Sequence, residues 1–80
     1  MKGFMTCKKE CFDLGKAWGT ELEGPDRHKA LDAKAGSLES EVVVAYLMDQ
    51  AGDLAYPADF VFGVFTAVGI IEGMEHLYDK

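Results

Sequence analysis

The longest uninterrupted hydrophobic stretch in the chain is Phe60 to Ile71 (FVFGVFTAVGII), which carries no charge and is apolar on every side if helical. A helix of that kind is buried all round, in a large core, a membrane or a subunit interface. An 80-residue chain has no large core, and the run is bounded by Asp59 and Glu72, short of the roughly 20 apolar residues that cross a bilayer. An interface is the leading expectation. Its Val, Ile and Phe content also suits a strand, and a short apolar run is ambiguous by period alone. The flanks favour a helix: Pro57 suits a first helical position and Asp59 a first turn, while Ile70, Met74, Leu77 and Tyr78 continue the helical spacing. One helix over Pro57 to Tyr78 is predicted. Its glycines each cost about 0.5 to 1 kcal/mol against alanine, a cost that close approach of another helix would offset. Gly63, Thr66, Gly69, Ile70 and Gly73 share one broad side of it and are the predicted oligomer interface.

Earlier in the chain, Cys7, Cys11, Leu14, Trp18 and Leu22 form an amphipathic stripe, predicting a first helix over Met5 to Glu23 with Thr6 as a possible N-cap. Lys8, Lys9, Asp13 and Lys16 fall toward water. A second ridge, Cys7, Cys11, Gly15 and Gly19, runs at steps of four and carries only small side chains; such ridges interdigitate in the commonest helix crossings. It is suited to meet the glycine side of the last helix. Gly24-Pro25-Asp26 reads as a stop and restart, followed by a short polar helix over Arg27 to Ala35 that ends at Gly36 and has Leu31 as its main core residue. Ser37 is the expected cap of a third helix, Leu38 to Ala51, whose run Val42 to Met48 (VVVAYLM) carries the same strand ambiguity because valine is β-branched and stiff. The sum is one all-α domain over residues 1–80, a small bundle of three main helices and one short one.

A chain this short buries only about 60% of its unfolded surface, yet 49% of its residues are hydrophobic. A homodimer would resolve that mismatch. Lysines but no apolar h-region open the sequence, so no signal peptide is expected, and two cysteines make no multi-bridge secreted framework. The expected location is the cytoplasm, without membrane insertion.

Charge is distributed unevenly along the chain. Residues 1–34 hold seven bases and six acids, whereas residues 35–79 hold eight acids and no Lys or Arg. Acidic surfaces aid solubility, but Asp49, Glu72, Glu75 and Asp79 fall near predicted helix C-termini, where the dipole disfavours anions by about 0.3 to 1 kcal/mol each. Acids so placed meet either the bases of the first two helices or a basic partner, for which complementarity sets specificity and on-rate. Such a face also imitates the negative rows of a nucleic acid. Direct nucleic-acid binding is not expected, since no basic patch interleaves with aromatics. Glu39, Glu41, Asp49, Asp53 and Asp59 are the predicted contacts, with Tyr46 and Tyr56 as anchors because tyrosine is enriched in hot spots.

Other chemistry is thinner. Cys7 and Cys11 (C-x3-C) share a helix face, and the lysines between them would lower a thiolate pKa; the pair is also compatible with a soft metal, with His28 and His76 as further ligands. Cysteine also behaves as a small buried hydrophobe, which the stripe alone explains. His76 beside Glu72 and Glu75 lacks the Glu-to-His spacing and repeat of di-iron bundles, His28 with Asp32 reads as a solvated helix pair, and Asp49 with Asp53 lacks a calcium-loop pattern. No nucleophile, base and orienter come together, and no glycine-rich phosphate loop exists, so neither catalysis nor a cofactor is expected. In kind, being short, acidic and helical, the chain is similar to small inhibitor and adaptor proteins, including those encoded by phages and other mobile elements, although no particular residue carries that likeness. The expected function is a protein-interaction module that binds a basic protein surface. The alternatives are a thiol or metal protein using Cys7 and Cys11, and a structural homo-oligomer subunit.

Overall fold

A computed structural model of the chain describes residues 7–22, 26–37 and 39–71. Over these the protein is helical throughout, with α1 (Lys8–Thr20), α2 (Arg27–Ala35), α3 (Ser40–Ala51) and α4 (Pro57–Val68), and the described residues include no strand. Both β-branched runs, 42–48 and 60–65, are helical. Helix α4 packs against all three of the others, most extensively against α1. The apolar run is therefore the element around which the bundle assembles. Among the described residues no helix is long and apolar enough to cross a membrane.

The α1–α4 seam follows from glycine. Gly15 lies against Phe60, and Gly19 against Val64 and Ala67, so the two helices run in the same direction. A Cβ on Gly15 would overlap the Phe60 carbonyl. One on Gly63 would overlap the Phe12 carbonyl and stand 2.7 Å from the Lys16 amide nitrogen, and one on Gly19 would stand 2.8 Å from the Ala67 Cβ. The small ridge of the first helix thus meets the last helix at close range, backbone to backbone where Gly15 and Gly63 lie. Gly63 is buried in this intramolecular seam, away from any surface open to a second subunit.

That seam also rotates α1. The residues it buries are Cys11, Phe12, Gly15 and Gly19, whereas Leu14, expected in the core stripe, is 38% exposed and Cys7 is exposed. Leu22 is buried and Trp18 half-buried. The helix is shorter than predicted. Cys7 occupies its N-cap position with extended backbone and no side-chain cap, and Glu21 closes it; Thr6 and Glu23 lie outside the described residues. The Arg27 Nε–H donates to the Thr20 carbonyl at 3.2 Å, satisfying one of the orphan acceptors at this end.

Helix α2 has the predicted bounds. The Asp26 carboxylate accepts from the His28 amide at 3.0 Å as its cap, Gly36 adopts φ 89°, and Leu31 is its one buried residue. Helix α3 begins two residues later than predicted. Ser37 does not cap it: its hydroxyl accepts from the Glu39 amide at 3.0 Å in a local turn, leaving Glu39 at the N-cap. Val43, Leu47 and Ala51, one turn apart, are its buried stripe. With Leu22, Leu31, Phe60, Val61 and Val64 they make the main core.

The helix predicted to reach Tyr78 stops at Val68, because Gly69 turns left-handed with φ 95°. The Gly69 amide donates to the Thr66 carbonyl at 3.3 Å and the Ile70 amide to the Phe65 carbonyl at 2.9 Å, the paired bonds of a Schellman cap. Gly69 is therefore a terminator and not a packing position: a Cβ there would meet nothing within 4 Å. Ile70 is 40% exposed beyond the helix, and Thr66 is half-buried with its hydroxyl donating to the Phe62 carbonyl at 2.8 Å. Gly73, Glu72, Glu75, His76 and Asp79 lie outside the described residues.

Candidate functional site

The buried stripe of α3 fixes what the helix presents to solvent. With Val43, Leu47 and Ala51 inward, Glu41, Val42, Ala45, Met48 and Asp49 fall together on the far side at about 100° per residue, and all five are exposed. Glu39 immediately before the helix and Asp53 just after it are exposed as well. No base lies in the last turn of α3, so Asp49 sits at the negative end of the dipole without local compensation, at a cost of about 0.3 to 1 kcal/mol. Four of the predicted contacts, Glu39, Glu41, Asp49 and Asp53, thus belong to one helix and its ends. The apolar part of the face, Val42 and Met48 at 38% and 39% exposed, is legible only once the inward stripe is known.

The other three predicted contacts lie off that face, Tyr46 on another side of the same helix and Tyr56 and Asp59 at the start of α4. Tyr46 is half-buried, its ring edge-on to Trp18 at 6.3 Å between centroids and 60° between planes. Trp18 also meets Phe60 edge-on at 6.2 Å, so the indole is held from two sides in a favoured aromatic geometry. Tyr56 is the N-cap of α4, with the Lys8 ammonium 5.8 Å from its ring centroid. Asp59 is half-buried in the first turn of α4, close enough to act electrostatically on Cys11. Tyr56 and Asp59 therefore belong to the start of the α1–α4 seam.

The cysteines are free and unlike one another: Cys7 is exposed and Cys11 fully buried. Burial pushes the Cys11 thiol above its ordinary value, the negative charges of Asp59, Cys7 and Glu10 add to the shift, and a backbone hydrogen bond with Tyr56 opposes it. A raised pKa is the reverse of what an activated thiolate needs. Because the folded state holds this proton more tightly than the unfolded chain, the associated stability is complete below the ordinary thiol range and declines as pH rises through it, from about pH 8.5 upward. A thiol reagent at neutral pH is expected to label Cys7 rapidly and Cys11 only on the timescale of unfolding, read by mass spectrometry. Equal labelling rates would contradict the burial of Cys11. His28 is exposed on α2, and among the described residues no three His, Cys, Asp or Glu side chains come together as a metal site.

Comparison with known protein families, with characterised proteins and with solved structures finds no match to this chain.

Proposed function

We propose that the protein is a small acidic interaction module of inhibitor or adaptor type, which binds a basic protein surface through the outward face of α3. The observation that supports this most is the composition of that face: Glu41 and Asp49 flank exposed Val42, Ala45 and Met48, with Glu39 and Asp53 at its ends. Interfaces combine an apolar centre with a polar rim, and acids on the rim accelerate encounter with a basic partner. A face used only for solubility has no need of exposed valine and methionine between its charges. Imitation of nucleic-acid charge is one form this binding takes, since a basic groove built for phosphates also accepts carboxylates.

Self-association as a homodimer is the second part of the proposal. With Gly63 buried inside the chain, its support is the exposed apolar side chains Leu14, Phe62 and Ile70. Light scattering at increasing concentration tests it, a constant monomer mass being the contrary result.

The binding proposal is tested by comparing wild type with the triple variant Glu41→Gln, Asp49→Asn, Asp53→Asn as immobilised bait in a lysate from the source cells. These exposed substitutions are expected to change stability by no more than about 1 kcal/mol each, Asp49→Asn in the stabilising direction. A basic protein retained by wild type and lost by the triple variant is the expected result. Equal retention by both would remove α3 as the binding face.

A further inference from the structure

A cleft of about 220 Å³ lies between the end of α1, the last turn of α2 and the second half of α3, lined by Trp18, Glu21, Leu22, Lys34, Tyr46 and Gln50. It is on the inward edge of α3 and does not depend on the outward acidic face. Glu21 and Lys34, an anion and a cation, line the same small space, and among the described residues their side chains form no ion pair with each other and no side-chain hydrogen bond is made by them or by Trp18, Tyr46 and Gln50. One solvated polar side chain is ordinary. Five in one concavity, with the indole among them held in place by Tyr46 and Phe60, form a wall able to bind a solute of matching charge.

The cleft is open to solvent and shares Glu21 and Lys34 with an adjoining hollow of about 520 Å³ lined also by Ala30 and Ala33, so the arrangement selects its solute by charge. Opposite charges on one cleft favour a molecule that carries both, because an ion of one sign would meet repulsion from Glu21 or from Lys34. We propose that this cleft binds a free α-amino acid, its ammonium group toward Glu21, its carboxylate toward Lys34 and its side chain against Trp18.

Trp18 is the only tryptophan in the chain, so its emission reports on the cleft directly. The intact protein is titrated with each free non-aromatic amino acid to about 10 mM, well beyond the weak millimolar range in which a single small site is detectable. At least one is expected to give a saturable change in Trp18 emission. Its affinity falls about tenfold or more in Glu21→Gln and in Lys34→Met, each removing one charge-assisted contact, while circular dichroism verifies that both exposed substitutions leave the helices intact. The N-acetyl and carboxamide derivatives of the same amino acid, each lacking one charge and standing in for the two ends of a peptide, are expected to bind as weakly as the matching variants. The absence of any saturable change, unaltered affinity in both variants, or equal binding of either derivative would overturn the proposal.

Discussion

Replacing Gly63 with alanine is expected to lower stability by about 2 kcal/mol net, although alanine is the better helix former. The propensity gain is at most about 1 kcal/mol. Against it stands overpacking, which costs typically 1 to 3 kcal/mol and sometimes more, and here the upper end applies because the new Cβ meets the backbone of Phe12 and Lys16. Backbone within a hydrogen-bonded helix cannot rotate aside as a side chain can. A small domain commonly has only about 5 to 15 kcal/mol in all, so Gly63→Leu is expected to leave no cooperative folded state. Gly69→Leu differs: its side chain meets open space, and the cost is the left-handed backbone, about 1 to 2 kcal/mol. Urea unfolding followed by Trp18 fluorescence checks this, and an unchanged or higher midpoint for Gly63→Ala would contradict the seam.

Leu31→Ala is expected to cost about 2 to 4 kcal/mol, within the range for fully buried leucines, and its effect is local in a way other core deletions are not. Leu31 is fully buried and is the one buried residue of α2, a nine-residue helix too short to persist without tertiary support. Hydrogen exchange should therefore show the α2 amides losing most of their protection while the α1–α4 amides keep more of theirs. Uniform loss across all four helices, or none, would show that α2 is not anchored through this side chain.

Where sequence and structure agree, the signal was chemical and local. The bounds of α2 followed from Asp26, which accepts a bond at one end, and Gly36, which turns left-handed at the other. Pro57 marked the start of α4. The meeting of Gly15 with Gly63, and of Gly19 with the same helix at Val64 and Ala67, is legible because a row of residues without side chains has few uses other than close approach. The failures share one origin in degeneracy. Gly69 falls on the predicted packing side of the helix, but a glycine followed by apolar residues serves equally well as a Schellman terminator. Leu14 was assigned to the core from a regular stripe, but the seam orients α1 by its glycines and turns that leucine outward. In VVVAYLM every residue is apolar, so the sequence did not show which face of α3 is solvent-exposed. That assignment comes from the burial of Val43 and Leu47 in the core, and with it the exposed Val42 and Met48 between the acids become visible.

Binding by α3 is proposed to operate through charge set around a small apolar centre. The most direct test is the dissociation constant of the complex with the basic protein recovered on the wild-type bait, measured across salt concentration with and without competing duplex DNA. Affinity is predicted to fall steeply with salt, as the shrinking Debye length screens exposed charges, and the triple variant to show a shallower dependence from a weaker starting point. Competition by DNA would assign the binding to nucleic-acid imitation, and its absence to ordinary charge complementarity. Affinity independent of salt and unchanged in the triple variant would contradict the claim.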